Sequence, residues 1–184
     1  MLSGKLIQLI EDHWEPLTRR ILLVIRADPR LPHFQTLLES DLQDRVGQIS
    51  KNLGRWLAAG DDEHLAAEYA TLGRNRYREA VPLEEVVHAM HLVKHRVLDF
   101  VRDQGIRQTS VEVYAQEELE HRVGQFFDAV VYHLVRGYEQ AVHEAMTASL
   151  GAATRKRPGI YEQAFHEAMV ATAVPPRPPG YGKR

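Results

Sequence analysis

The sequence predicts an all-α protein, a helical bundle built around a long central helical hairpin. Three observations predict this fold class. Apolar residues recur three and four positions apart in almost every segment, which is the period of an amphipathic helix. Capping residues, prolines and glycines divide these segments into separate helices. No alternating apolar and polar run bounded by turn residues occurs, so strands are not expected.

Two helices are predicted at the start of the chain. Residues 2–13 form a short amphipathic segment. Pro16 fits the first turn of a second helix, because a proline there lacks only an N–H that would have no helical partner. This helix is predicted to end near Ala27, where the segment 28–32, with two prolines, breaks it.

The third and fourth helices follow this break. The segment 40–43 has the Ser-x-x-Gln spacing of a capping box and predicts a helix that stops at Gly60. Asp61 or Asp62 is then the N-cap of a helix over about residues 63–79. One side of that helix carries Leu65, Tyr69, Leu72, Arg76 and Ala80.

The central hairpin is predicted from two long helices. Pro82 begins the first, which covers Pro82–Asp103 and ends before Gly105. Thr109 and Glu112 form a second capping box, which opens a helix that runs to about Leu150. Its length indicates either a bend or an extension beyond the core to meet a partner. The apolar face of the first helix comprises Leu83, Val86, Met90, Val93, Val97 and Val101.

The chain is expected to contain one helical domain over residues 1–150. Beyond it, residues 151–159 are predicted to be a basic linker and residues 160–173 a short C-terminal helix. Residues 174–184 are predicted to be a Pro-rich disordered tail, with a polyproline II ligand as the alternative interpretation.

Composition excludes several classes of protein. Because the chain has no cysteine, disulfide frameworks, thiol nucleophiles and thiolate-bound metal clusters are excluded. The net charge is −2, and the +4 carried from residue 151 onward is too scattered to predict nucleic-acid binding. No apolar run is long enough to predict a membrane span, so a cytoplasmic protein is expected.

Three histidines lie on one flank of the first hairpin helix. The spacing of His88, His91 and His95 places them, with Glu84, on one narrow stripe beside the apolar face. A pair at i, i+4 can chelate a divalent transition metal or stand beside a haem. The favoured interpretation is an ordinary polar flank or subunit contact without a cofactor, and a ligand role is the alternative.

The hairpin also carries two Glu-x-x-His elements of the kind that di-iron bundles use. They are Glu85 with His88 and Glu118 with His121. Such a site needs its ligands to point inward. Counting about 100° per residue places all four on the outer side of their helices, so a solvated helix face is predicted.

An internal ligand pocket is a further possibility. Phe126, Phe127, His133 and Tyr138 crowd the second hairpin helix and could hold a small apolar ligand against its neighbour. Core packing alone also explains these residues.

Catalytic motifs are missing from the sequence, and no enzyme is predicted. None of the five serines stands in a Gly-x-Ser-x-Gly elbow, and no glycine-rich phosphate loop occurs. The basic segment 73–78 could meet an anion, but a solvated surface is the favoured interpretation.

Five segments together resemble the N-terminal domain of RsbR/RsbRD-type proteins. They are residues 72–76, 81–87, 97–100, 126–128 and 134–139. The resemblance covers about residues 1–148. It implies a sensory or regulatory domain of bacterial stress signalling that has a globin-like fold, lacks haem and forms a homodimer. No STAS, kinase or cyclase domain follows in this sequence, so we expect the domain to act through dimerisation or a separate protein partner.

Two charges interrupt the apolar stripes of the hairpin. If the chain turns near Arg107, antiparallel residues at one level have numbers that sum to about twice 107, as those of Lys94 and Glu120 do. A partly buried ion pair between them is therefore predicted. The alternative is that Lys94 snorkels and Glu120 bends outward.

The expected function is that of a non-catalytic signal-sensing or regulatory module. The alternative is a haem- or metal-binding gas or redox sensor built on the histidine stripe.

Overall fold

The computed structural model describes residues 12–103 and 109–155, together with Gln8, and within them it contains six helices and no strand. This confirms the predicted all-α class. The helices are α1 (Trp14–Ala27), α2 (Pro32–Thr36), α3 (Glu39–Ala59), α4 (Asp62–Arg78), α5 (Leu83–Asp103) and α6 (Ser110–Arg155). The first predicted helix, residues 2–13, lies largely outside the described residues.

Several helix ends follow the predicted signals. Gly60 ends α3 in the left-handed conformation, with φ of 66°, and its N–H donates to the Trp56 carbonyl at 2.8 Å. A residue with a Cβ adopts this conformation only at a cost, which explains glycine there. Asp61 is the N-cap of α4, because its carboxylate accepts a hydrogen bond from the His64 N–H at 3.0 Å.

The connection between α1 and α3 differs from the prediction. It contains the short helix α2, and α3 begins at Glu39 with no capping bond from Ser40. Arg26 accounts for this path, because its guanidinium donates to the carbonyls of Phe34 at 3.2 Å and Leu37 at 2.5 Å. These bonds satisfy backbone groups that the end of α2 leaves without helical partners.

Helix α6 opens with the predicted capping box. The Thr109 N–H donates to Glu112 Oε2 at 2.9 Å, and the Glu112 N–H donates to Thr109 Oγ1 at 3.3 Å. The helix continues to Arg155, so residues 151–155 of the predicted linker are helical. The predicted helix 160–173 and tail 174–184 lie outside the described residues.

The chain divides into two compact units, residues 1–142 and 143–184. In the first unit, apolar residues of α1, α3, α4, α5 and α6 form one core. The predicted apolar face of α5 is confirmed, with Val86, Met90, Val93, Val97 and Val101 all buried. None of the described helices combines the length and apolarity needed to cross a bilayer.

Two glycines bring α4 and α6 into backbone contact. A Cβ built on Gly73 would lie 2.0 Å from the Leu134 carbonyl oxygen, and one on Gly137 would lie 1.9 Å from that of Ala70. No side chain fits at either position, so these glycines permit the close crossing. Tyr77 and Tyr138 pack edge to face beside it, with ring centroids 5.4 Å apart.

Candidate functional site

A cavity of about 410 Å³ lies between α3, α4 and α5, with α1 and α2 contributing one residue each. This volume is within the range of small-molecule sites. The apolar part of its buried wall includes Ile25, Phe34, Val46, Ile49, Val86 and Met90. The lining residues Asp44, Gln48 and Thr71 are exposed, so the cavity opens between α3 and α4.

One part of the wall is a closed hydrogen-bond network. Asn52, which is buried, donates to Glu68 Oε1 at 2.8 Å and to the Tyr69 hydroxyl at 3.4 Å. Gln48 donates to the same Glu68 oxygen at 3.0 Å. Burial raises the pKa of Tyr69, so its phenol stays protonated at physiological pH. These polar groups therefore supply one another's partners.

The other polar part of the wall contains two arginines that share one carboxylate oxygen. Arg76 donates through Nη1 to Glu79 Oε2, and Arg45 donates through Nη2 to the same atom at 3.4 Å. The second terminal nitrogen of Arg45, Nη1, is buried and has no hydrogen-bond partner within the described part of the chain. Burial, and then the nearby charge of Arg45, lower the pKa of Arg76. This end of the cavity therefore has an unused donor and excess positive charge.

A second polar cluster joins the turn after α1 to the start of α5. Asp28 is buried and accepts hydrogen bonds from Arg30 Nε at 3.0 Å and Nη2 at 2.8 Å. His88 Nε2 lies 2.8 Å from Asp28 Oδ2. The hydrogen bonds from Arg30, followed by that from His88, hold the pKa of the Asp28 carboxyl well below its usual range.

Glu85 lies beside this cluster and is only 4% exposed. The His33 N–H donates to its Oε2 at 3.0 Å, and His33 Nδ1 lies 2.6 Å from its Oε1. The prediction that Glu85 and His88 lie on a solvated face is therefore wrong, because the Asp28 turn and α2 cover that side of α5. Glu118 and His121 are exposed, as predicted.

The members of the histidine stripe face different surroundings. Glu84, His91 and His95 are exposed, whereas His88 contacts Asp28. Among residues 12–103 and 109–155, no group of three or more His, Asp or Glu side chains is arranged to hold a metal ion. Metal binding by the i, i+4 pair His91 and His95 stays a prediction.

The cavity residues do not fit a haem. Histidine and cysteine are both missing from its described lining, and only Tyr69 and Met90 belong to residue types that bind haem iron. The raised pKa of Tyr69 disfavours the phenolate that would bind the iron.

The residues of the predicted internal pocket lie elsewhere and do not line this cavity. Phe126 and Phe127 are fully buried, and Phe126 packs edge to face on Tyr69 with centroids 6.3 Å apart. His133 packs against the exposed ring of Tyr132, and the Tyr138 hydroxyl donates to the Val81 carbonyl at 3.0 Å. Phe126 and Phe127 therefore stabilise the core, and Tyr138 stabilises the α4–α5 turn.

The predicted ion pair between Lys94 and Glu120 is wrong. Lys94 Nζ contacts Asp128 Oδ1 at 2.6 Å, and Glu120 Oε2 accepts from Arg102 Nε at 2.8 Å. Asp128 lies two helical turns, or about 12 Å, beyond Glu120 on α6. The register of the hairpin is therefore shifted from that of a turn centred on Arg107.

Sequence reasoning missed Arg45, Asn52, Glu79 and Asp28. For Asn52 and Arg76 a signal exists, because each is a polar residue at the helical spacing of an apolar stripe. Arg76 was predicted to be solvated as part of the basic segment 73–78, and the structure shows it buried. Arg45 carries no comparable signal, because it meets Glu79 only through the tertiary fold. Asp28 and Glu79 each have one partner within three residues, Arg30 and Arg76, but their contacts with His88 and Arg45 depend on the tertiary fold.

A comparison with protein families identifies the family to which the chain is similar. The model for the RsbT co-antagonist protein rsbRD N-terminal domain matches residues 15–152. The matched region includes α1 from its second residue, all of α2 to α5 and nearly all of α6. Comparisons with curated proteins and with solved structures give no significant match.

Proposed function

The chain belongs to the family of RsbT co-antagonist protein rsbRD N-terminal domains, and from this premise we propose that it is a non-catalytic sensing module whose signal is a small molecule bound in the cavity between α3, α4 and α5. The family is one of regulatory domains in stress signalling. The proposal includes the globin-like fold that the resemblance to RsbR/RsbRD-type domains implies.

The cavity is the observation that carries this proposal. The cavity has a volume of about 410 Å³, which is within the range of small-molecule sites. Its wall combines apolar side chains with a few polar groups, as ligand sites do. The cavity opens to solvent between α3 and α4, so a small molecule can enter it, and binding is the role that this shape favours.

The output is proposed to pass through a homodimer and a separate protein partner. Val111, Tyr114 and Tyr132 are exposed on one stripe of α6, with exposed fractions of 61%, 72% and 58%. Aromatic residues are enriched at protein interfaces. A second copy of the chain that packs on this stripe would form a two-fold, self-complementary contact.

Calorimetry with a panel of small apolar compounds tests the sensing role. A compound present at 100 times its Kd stabilises the fold by about 2.7 kcal/mol, which raises Tm by roughly 5–10 °C. Ala89 is a buried lining residue, so Ala89→Leu fills part of the cavity and should abolish the shift. Ala58→Leu adds the same side chain at an exposed position of α3 and should leave it unchanged. Equal shifts in both variants would contradict a ligand site in this cavity.

Light scattering tests the dimer. The full chain should have the mass of two copies at micromolar concentration, and the double substitution Tyr114→Lys and Tyr132→Lys should give one copy. A monomer that persists in the unmodified chain at high micromolar concentration would rule out the homodimer.

A further inference from the structure

The two arginines at the cavity are held by a carboxylate that lies on their solvent side. The side chain of Glu79 is 43% exposed, whereas those of Arg45 and Arg76 are 27% and 9% exposed. Glu79 Oε2 accepts from both guanidinium groups. The pair of arginines therefore already binds one carboxylate, that of Glu79, within the chain.

Glu79 does not use all the donors that the pair offers. Arg45 Nη1 is buried and has no hydrogen-bond partner in the described structure, although Arg45 lines the cavity. A buried donor without an acceptor costs stability, and an acceptor that reached it would recover that cost. Because Arg45 lines the cavity, a ligand bound there is a candidate for the missing acceptor.

Two acidic residues also line the cavity, and neither neutralises its arginine end. Glu68 Oε1 accepts from Asn52 and Gln48, and its Oε2 lies 3.2 Å from His64 Nε2. Asp44 is exposed at the opening, where water screens its charge. Two guanidinium groups and the single carboxylate of Glu79 leave one positive charge beside an apolar space.

We propose that the cavity binds an apolar monocarboxylate, whose carboxylate takes the place of Glu79 between Arg45 and Arg76 while its apolar body fills the space against Val86, Ala89 and Met90. This inference rests on the proposed function of the cavity as a ligand site and adds the chemical class of the ligand. A guanidinium fork binds a carboxylate through two parallel hydrogen bonds. A neutral ligand of the same shape gains only the apolar burial, and a cationic one meets like charge.

Titration calorimetry of the full chain tests the class with three probes of equal length: decanoate, decanol and decylamine, each below its aggregation concentration. Decanoate should bind at least about tenfold more tightly than decanol, since a hydrogen bond to a charged group contributes that much or more. Decylamine should bind more weakly than decanol. Ala89→Leu should weaken all three probes, which locates them in the cavity.

Two substitutions with opposite expected effects test the carboxylate position. Arg45→Gln should lower the affinity for decanoate about tenfold and leave that for decanol unchanged. Glu79→Gln removes the competing carboxylate and should raise the affinity for decanoate about tenfold. Arg20→Gln removes the same charge from an exposed position of α1 and serves as the control. Circular dichroism checks that each variant is folded.

The possible failures have different meanings. If decanol and decanoate bind equally, and neither Arg45→Gln nor Glu79→Gln changes the affinity for decanoate, the carboxylate class is overturned and the cavity remains a ligand site. If no probe binds, or if Ala89→Leu leaves binding unchanged, the proposed sensing function is overturned together with it.

Discussion

The crossing of α4 and α6 gives the sharpest prediction for stability. Gly137→Ala places a Cβ 1.9 Å from the Ala70 carbonyl oxygen, and Gly73→Ala places one 2.0 Å from that of Leu134. Ordinary van der Waals contact begins at 3.4 Å, so the two helices must separate by about 1.5 Å. The obstacle is backbone on both sides, which cannot rotate away as a side chain can.

The expected loss is a balance of two effects. Overpacking costs about 1–3 kcal/mol where side chains can adjust, and more where they cannot. Separating the helices would also disturb the contacts of Tyr77 with Tyr138 and of Tyr69 with Phe126. Alanine in place of a helical glycine stabilises the helix by about 1 kcal/mol, which offsets part of this loss. We therefore expect each variant to lose about 2–4 kcal/mol of the free energy of unfolding, or roughly 5–15 °C in Tm.

The chain supplies its own matched controls. Gly47 and Gly124 lie within α3 and α6, and a Cβ built on either meets nothing within 4 Å. Gly47→Ala and Gly124→Ala should therefore stabilise the protein by about 0.5–1 kcal/mol. Urea unfolding followed by circular dichroism measures all four variants on the same scale.

The double variant adds a second test. Once one Cβ has separated the helices, the other enters at little further cost, so Gly73→Ala with Gly137→Ala should lose less than the two single losses together. Crossing variants whose stability falls within about 0.5 kcal/mol of that of the controls would contradict close backbone packing at this site. Additive losses at the two crossing positions would contradict it as well.

Two further predictions concern the charged contacts. The pKa of Asp28 is lowered in the folded chain, so its interactions stabilise the fold above its unfolded pKa of about 3.9 and are lost as pH falls through the folded value. Urea unfolding of Asp28→Asn should show a deficit at pH 7 that shrinks below about pH 4, unlike the exposed control Asp44→Asn, and a deficit independent of pH would contradict this. The contact of Lys94 with Asp128, whose side chain is 75% exposed, should show a coupling below about 1 kcal/mol in a double-mutant cycle of Lys94→Met and Asp128→Asn. A larger coupling between Lys94 and Glu120 would contradict the observed hairpin register and support the predicted one, with its turn centred on Arg107.

Much of the fold could be predicted from local signals. The signals are local at the C-terminus of α3 (Gly60), at the N-terminus of α4 (Asp61) and at the capping box of Thr109 and Glu112. Each depends on residues within a few positions of one another. Such signals act on the chain before any tertiary contact forms. The capping box predicted at Ser40 failed because a long-range contact, from Arg26 to the carbonyls at the end of α2, fixes where α3 begins.

The candidate site was less predictable because its geometry depends on how the helices meet. Helical periodicity places Glu85 outside the apolar face of α5, and that count is correct for an isolated helix. In the folded chain, His33 on α2 covers the same face and makes Glu85 a buried hydrogen-bond acceptor. Periodicity gives the side of a helix on which a residue lies, but not which other segment covers that side.

The hairpin register shows the same limit, because helical periodicity does not determine which residues of two helices lie opposite each other. The predicted pairing of Lys94 with Glu120 depended on a turn centred on Arg107. A shift of one helical turn in each helix changes every cross-hairpin pair. The observed pairs, Lys94 with Asp128 and Arg102 with Glu120, agree with each other in register. Packing of the buried α6 side chains, rather than charge pairing, fixes that register, because exposed ion pairs contribute too little to do so.

The turn between α4 and α5 connects the cavity to the rest of the bundle. Ala80 has φ of 56°, a conformation that costs a residue with a Cβ about 1 kcal/mol or more. Three interactions hold it there: Glu79 binds Arg45 and Arg76, the Val81 N–H donates to the Arg76 carbonyl at 3.1 Å, and the Val81 carbonyl accepts from Tyr138 on α6 at 3.0 Å. The contacts of Glu79 with Arg45 and Arg76 thus lie at the arginine end of the cavity and also help to offset the cost of this turn. The proposed carboxylate ligand, by replacing Glu79, would release one of the three, and its binding would then be thermodynamically linked to the conformation at the start of α5.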